Sequence, residues 1–294
     1  MKSFMKKFLR QVARPAVNQL ELALGRKLLN NEVVAQKLFV EQYRALAAEG
    51  RERLPAFNDV GFRKYSQFEE DGILLFIFAL VRPLNRKCVE ICAGNGRECM
   101  TANLIINHGW WGYLFDGNEH SVEAGREFFA KCPDTSYAPP LFTHAWITAE
   151  NVNEEIAKSG VSGPIDLLSL DMDGVDYWVW KAIEVVQPQV VVCETVNSIP
   201  GDRALTVPYD ASFTYQSEDF RGASLAAMCS LGRAKGYRLI GTHRYGFNAF
   251  FMKNGVGEEF FPEVDPAAYL NDPVTTQLRA ERWPQVEKMG WLEV

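Results

Sequence analysis

The chain has no apolar run long enough to cross a bilayer. Its longest, Ile73 to Val81, is nine residues, against the ~20 that a spanning helix needs. Histidine is scarce: His108, His120, His144 and His243 are the only four, and no two form an HxxxH pair. That excludes a local histidine-built zinc site. Cysteines 88, 92, 99, 132, 193 and 229 form no CxxC pair and show no zinc-like spacing, so they read as free thiols, most of them buried. Internal repeats and low-complexity segments are missing too. The N-terminus is basic but lacks a continuous apolar core, so no signal peptide is read and the expected location is cytoplasmic.

What is present is ordinary for a globular protein. The chain has 294 residues, 47% hydrophobic and 23% charged, enough for a substantial core in one large or two small domains. The net charge of −6 is unevenly spread. Residues 1–29 hold seven Lys/Arg and one Glu, so they carry +6 and the remainder −12. So acidic a body argues against nucleic acid as a partner. Phe4, Phe8, Val12 and Ala16 recur at helical spacing, and Pro15 interrupts them. Two readings of residues 1–29 stand: a basic amphipathic segment in peripheral contact with anionic membrane, or an arm packed on the body or on a second subunit of a homo-oligomer.

The patterning predicts a helical extension over 1–62, an α/β domain over 63–256 and a tail over 257–294. Within the domain, helix 67–80 precedes strand 88–91, helix 98–108, strand 112–115 and helix 121–130. Strand 141–146, helix 151–159, strand 165–170, helix 177–185 and strand 190–193 follow. After a long loop over 195–220 come helix 223–234 and strands 237–242 and 248–252. The alternation implies a mostly parallel sheet covered on both faces. The last two strands are too close for a crossover and predict a C-terminal antiparallel hairpin.

In such sheets ligands bind beyond the C-terminal strand ends, and here those ends are acidic. The first strand ends at Glu90, followed by Ala93, Gly94 and Gly96; the second ends at Asp116, before Gly117 and Asn118. Glycines allow close backbone approach, and an acid about 20 residues onward suits ribose hydroxyls. Taken singly, each has a plainer account: the glycines as a turn, Asp116 as a helix cap. Together they favour a nucleoside site. The third glycine of a dinucleotide loop is replaced by Cys99, and Glu90 would repel a pyrophosphate. A carboxylate better suits the cationic S-adenosylmethionine.

The stretches Glu90–Gly96, Asp116, Leu168–Gly174, Gly236-Tyr237 and Asn248–Phe251 resemble class I S-adenosylmethionine-dependent methyltransferases, with a Rossmann-like fold. Tyr65–Leu74 and Gly222–Leu225 add a likeness to the FkbM-type family, over roughly residues 64–253. The resemblance implies that Glu90, Ala93, Gly94 and Gly96 line the methionine half of the cofactor. Asp116, with Asn118 beside it, would meet the ribose, and Ala145 and Trp146 the adenine. Cys92 departs from the pattern, standing where the class has glycine.

Methyl transfer to a hydroxyl needs the acceptor close behind the methyl carbon and its proton removed. Asp171 and Glu194 end the fourth and fifth strands and are the candidate bases, with His243 as a third. Asp171 and Glu194 could also hold Mg2+; alternatively Asp171 contacts cofactor or acceptor and Asp173 caps the next helix. Tyr209, Asp210 and Phe213 in the long loop are candidate acceptor contacts, or else fill a covering loop's own small core. The resemblance implies O-methylation of a sugar, glycan or glycosylated metabolite. A non-catalytic binding protein and a nicotinamide-dependent oxidoreductase remain as alternatives.

Overall fold

The structure is a computed structural model that describes residues 32–215 and 220–294; the segment 1–29 discussed above lies outside the described residues. A seven-stranded sheet runs in the order β3-β2-β1-β4-β5-β8-β7. Strands β1 (Lys87–Ile91), β2 (Trp111–Asp116), β3 (Leu141–His144), β4 (Gly163–Leu170) and β5 (Val186–Glu194) are parallel. The expected hairpin, β7 (Tyr237–Thr242) and β8 (Asn248–Lys253), closes the sheet; β8 runs antiparallel to both β5 and β7 and sets Asn248 opposite Glu194. Strand order reverses between β1 and β4, which puts the switch point beside the Gly94–Gly96 loop. This is the Rossmann-like α/β architecture that the alternation implies.

The central strands are mostly apolar because both faces are covered. On one face, Leu167, Val190 and Val192 pack under α1 (32–49), α2 (Phe57–Val60), α3 (Glu70–Leu80) and α4 (Ala102–His108), joined by α5 (Glu119–Lys131). On the other, Leu168, Leu170 and Val191 meet α6 (Val152–Lys158), α7 (Asp176–Ala182) and α8 (Leu225–Ala234). Each fully buried Leu or Phe contributes about 1.5–3 kcal/mol. Tyr43 and Phe57 reach the same cluster as α3: their rings lie 4.9 and 6.3 Å from Phe76. Among the described residues, no helix is long and apolar enough to cross a membrane.

Several element starts differ from expectation, each for a local reason. Helix α3 begins at Glu70 because Asp71 Oδ2 gathers the N–H groups of Lys64, Tyr65 and Ser66 at 2.7, 2.6 and 2.8 Å, bending the chain before it. Helix α4 begins at Ala102, four residues late, because Met100 and Thr101 donate their N–H groups to Glu90. The tail forms α9 (Pro266–Tyr269) and α10 (Pro273–Val286), then β9 (Leu292–Glu293). β9 pairs with β6 (Leu205–Thr206), a short strand inside the expected long loop. Arg279 of α10 donates to the Asn197 carbonyl at 2.8 Å, so the tail lies over the strand ends.

Candidate active site

Three adjoining lobes open at the C-terminal strand ends. An acidic lobe of ≈ 390 Å³ is walled by Cys92, Asp116, Asp171, Asp173, Glu194 and Arg221. An apolar lobe, also ≈ 390 Å³, shares Cys92, Asp116 and Met172 with it and is lined by Trp146, Ile147, Val175, Phe213 and Tyr215. A third, of ≈ 210 Å³, shares Asp171, Glu194, Arg221 and Asn248 with the acidic one and extends to Phe68, Ser198 and α10.

Asp116 stands at the waist between the first two lobes. Its Oδ2 accepts from Gly94 N and its Oδ1 from Asn118 N, both at 2.8 Å, so it ties the β1 loop to β2. Burial raises its pKa, opposed by those two bonds. A carboxylate has about four acceptor positions, so Asp116 keeps capacity for ligand hydroxyls. Asn118 caps α5, accepting from Ser121 N at 3.1 Å, and borders the apolar lobe.

The remaining loop residues divide between lining and support. Glu90 borders the acidic lobe, yet its carboxylate accepts from Met100 N, Thr101 N, Thr101 Oγ1 and Cys99 Sγ at 2.8, 2.8, 2.6 and 3.1 Å. It fastens the turn before α4, and burial pushes its pKa up. Ala93 is fully buried in the core. Gly94 (φ 55°) borders the lobe. Gly96 (φ 71°) supports instead: an added Cβ would meet the Phe129 ring at 2.6 Å. Cys92 has φ 63°, a left-handed conformation that favours glycine. It borders both large lobes and is solvent-accessible from them, yet the protein enclosing it and the acid Asp116 push its thiol pKa up.

In the apolar lobe Trp146 is anchored by its indole N–H, which donates to the Ala211 carbonyl at 2.8 Å. The long loop thus closes this lobe, with Phe213 seated over Gly174, where a Cβ would meet its ring at 2.3 Å. Of the three loop residues expected at the acceptor, Phe213 therefore lines the apolar lobe. Tyr209 donates to Glu150 and accepts from Ala149 N, and Asp210 accepts from Ser212 N at 2.8 Å; neither lines any of the three lobes.

The acidic lobe gathers Asp171, Asp173 and Glu194, which can bring one oxygen each within 4.8 Å of the others. That donor set could hold a hard cation. However, Arg221 already lies against it: Nη2 donates to Glu194 Oε1 at 2.8 Å, and Nη1 pairs with Asp173. Asp173, at φ 52°, is turned to this arginine. The turn before α7 is held instead by Asp176, which accepts from Met172 N at 2.8 Å and Gly174 N at 3.2 Å. Asp171 and Glu194 bring carboxylate oxygens within 4.8 Å of each other. Burial, then their neighbouring carboxylates, raises both pKa values. Arg221 went unnoticed in the sequence; the signal was the lack of any base among so many strand-end acids.

The third lobe explains the Tyr65–Leu74 stretch. Gln67 and Phe68 line it, while Glu70, behind them, accepts from Asn248 Nδ2 at 2.9 Å and from Phe68 N at 3.0 Å. His243 is not at the cleft. It is 1% exposed, its Nδ1 accepts from Asn248 N at 3.2 Å, and burial lowers its pKa. Its ring lies 5.2 Å from Phe68 and 5.8 Å from Phe247. As a base it is misplaced, and it acts as support for β8.

No protein-family model and no curated protein matches the sequence. Among solved structures, the chain is similar to an O-methyltransferase from Bacillus cereus in complex with SAH: 15% identity, 72% of this chain and 88% of that one, TM-score 0.42. It is similar to the CcbJ methyltransferase from Streptomyces caelestis, at 15% identity over 67% and 96% of the two chains, TM-score 0.41. A magnesium protoporphyrin IX methyltransferase from Synechocystis with bound SAM gives 12% identity, 63% and 78%, and TM-score 0.39.

Proposed function

We propose that the cleft binds S-adenosylmethionine and that the protein is a methyltransferase, as the FkbM-type resemblance implies, acting on a hydroxyl of a small-molecule acceptor. One observation carries this reading: an aromatic-walled lobe and an acidic lobe meet at Asp116, on the switch point of the sheet. An adenosine with a cationic tail has that sequence of properties. When bound, the cofactor supplies a methyl group on a sulfonium.

The residues then have definite tasks. Trp146 and Phe213 flank the base. Asp116 accepts from ribose hydroxyls. The acidic lobe suits the ammonium and sulfonium, with Arg221 tempering its charge. The Asp171–Glu194 pair, bordering both the acidic and third lobes, takes the acceptor's proton once it has lost its own. Arg221 fills the cation's place among the carboxylates, so the reaction proceeds without Mg2+. The small third lobe under α10 favours a single sugar or comparably small hydroxylated molecule over an extended glycan.

A nicotinamide dinucleotide fits less well. The N–H groups of Met100 and Thr101, which would cradle a pyrophosphate before α4, are taken by the Glu90 carboxylate. Calorimetric titration tests the reading, with S-adenosylmethionine, its demethylated product and NADH as ligands. We expect micromolar binding of the first two and none of NADH. Binding of NADH alone would sink it, and tight product binding with no turnover on any acceptor would favour a non-catalytic role. Within this reading the protein works in the cytoplasm.

A further inference from the structure

The third lobe holds buried polar atoms with nothing to bond. Asn248 is 2% exposed and Ser198 5%, and both border the lobe. Asn248 Oδ1, Ser198 Oγ and Arg221 Nε have no hydrogen-bond partner among the described residues. Buried polar atoms are costly to leave unpaired, so they point to a ligand.

The orientation of the amide is decided by Glu70. Asn248 Nδ2 donates to Glu70 Oε1 at 2.9 Å, which turns its Oδ1 away from Glu70. Phe68 N donates to the other oxygen of Glu70, and the Asn248 backbone is tied to β5 opposite Glu194. The amide therefore cannot flip without setting its carbonyl against a carboxylate. Its Oδ1 is left as a fixed acceptor at the junction of the acidic and third lobes.

We propose that Asn248, locked by Glu70, orients the acceptor, and that the third lobe selects a small neutral hydroxyl compound over an amine. This rests on the methyltransferase reading for the identity of the lobe as the acceptor site. A hydroxyl can donate to Asn248 Oδ1 while its oxygen accepts from Arg221 Nε–H or Ser198. A protonated amine only donates: it would satisfy Asn248 but could not accept from Arg221 Nε–H, which would stay unpaired. Phe68 and Phe247, stacked at 5.6 Å with an interplanar angle of 14°, give the lobe an apolar wall against which one ring fits. At ≈ 210 Å³, the lobe is the smallest of the three and suits a small acceptor. Asn248 is thus a positioning residue, and Glu70 positions it in turn.

The test uses the full-length protein and three hydroxyl probes: methyl β-glucopyranoside, myo-inositol and catechol. Glucosamine and benzylamine serve as amine counterparts. Binding is read by saturation-transfer NMR and titration, with and without S-adenosylhomocysteine. The wild type is expected to bind at least one hydroxyl probe and to exclude the amines. Asn248→Leu should weaken hydroxyl binding about tenfold or more, the cost of one lost bond at a buried site. Because Asn248 borders both lobes, the loss of hydroxyl binding should exceed any change in S-adenosylhomocysteine affinity.

The exchange Glu70→Gln/Asn248→Asp restores the pairing with donor and acceptor swapped. It keeps an oxygen at the lobe, so hydroxyl binding should recover, whereas Asn248→Asp alone should not bind. Amine binding as tight as hydroxyl binding would overturn the proposal. So would unaltered binding in Asn248→Leu, failure of the exchange to recover, or absence of any hydroxyl binding to the wild type. Failure of S-adenosylhomocysteine to bind the wild type would instead overturn the methyltransferase reading, because the hydroxyl-against-amine comparison needs no cofactor.

Discussion

Arg221 grips Glu194 at two points, Nη2 to Oε1 at 2.8 Å and Nη1 to Oε2 at 3.3 Å, and pairs with Asp173 through the same Nη1. Its side chain is 16% exposed and that of Glu194 9%, so this is a largely buried pair. Removing one partner of such a pair costs about 3–5 kcal/mol. In a domain of this size that lowers Tm by about 6–20 °C. Arg221→Met should show this loss in metal-free buffer and should recover on addition of Mn2+, because Asp171, Asp173 and Glu194 then lack their cation. At a hundredfold excess over Kd the ion returns about 2.7 kcal/mol. Thermal unfolding with and without Mn2+ decides it. Equal stabilisation of the wild type by Mn2+ would mean that Arg221 does not stand in the cation's place.

Cys92 presents two opposed effects. A non-glycine residue at φ 63° costs about 1–2 kcal/mol, while glycine adds about 0.5–1 kcal/mol of unfolded-state entropy. Cys92→Gly should therefore change stability by less than about 1.5 kcal/mol. Its effect belongs in binding: the thiol borders both large lobes, so its loss should leave S-adenosylhomocysteine affinity equal or tighter. Cys92→Val, branched at a left-handed position, should lose both stability and affinity. Titration of the three proteins side by side is the measurement, and weaker binding to the glycine variant would contradict this account.

The strands and the acids that end them were legible because a two-sided sheet forces apolar runs, and a run that stops at a carboxylate marks a strand end. Asp116 and Asp171 could be found in that way. Glu90 was legible as a position but not as a role. Its bonds to Met100 and Thr101 come from a turn that resembles the first turn of a helix in sequence. Arg221 and Asn248 lie 27 and 54 residues from Glu194; Asn248 meets it because β8 returns antiparallel beside β5, and Arg221 because the segment before α8 is tied to the end of β5, Val196 N donating to the Ala223 carbonyl at 2.8 Å. No periodicity encodes that. Tyr209 looked like an acceptor contact for its aromatic and acidic neighbours, but its hydroxyl is held by Glu150 and Ala149. The tail was unreadable for a simpler reason: which lobe α10 roofs is set by contacts between segments far apart in sequence, Arg279 reaching Asn197 across 82 residues and β9 pairing with β6.

Gly117 and Trp146 are linked by contact. A Cβ on Gly117 would stand 2.8 Å from the indole ring, so Gly117→Ala should push Trp146 off the apolar lobe while leaving the sheet intact. Stacking on an aromatic side chain is worth about 1–3 kcal/mol per base. Gly117→Ala and Trp146→Ala should each weaken S-adenosylhomocysteine binding about 5- to 150-fold. Trp146→Phe keeps a ring but loses the bond to Ala211, and should fall between them and the wild type. Titration with adenosine, which lacks the cationic tail, should show the same ranking. An unchanged adenosine affinity in Gly117→Ala would place the base elsewhere.

The Asp171–Glu194 pair makes stability depend on pH in a stated direction. Burial and the Asp176 carboxylate push Asp171 from an ordinary 3.8 up to about 7. The folded state thus holds a proton that the unfolded chain has released. Stability from this group is full below about pH 4 and is lost as pH rises to about 7. The slope for one proton is at most about 1.4 kcal/mol per pH unit. Buried Glu90, Asp71 and Asp176 are raised as well and act in the same sense, so Asp171→Asn should reduce the slope rather than abolish it. Methyl transfer should run oppositely, rising with pH through the same interval as the pair loses its proton and becomes a base. Urea unfolding from pH 4 to pH 8, paired with a rate profile for any acceptor found, checks both signs. A wild-type slope that Asp171→Asn leaves unaltered would remove this pair from the titration and with it the case for its role as the base.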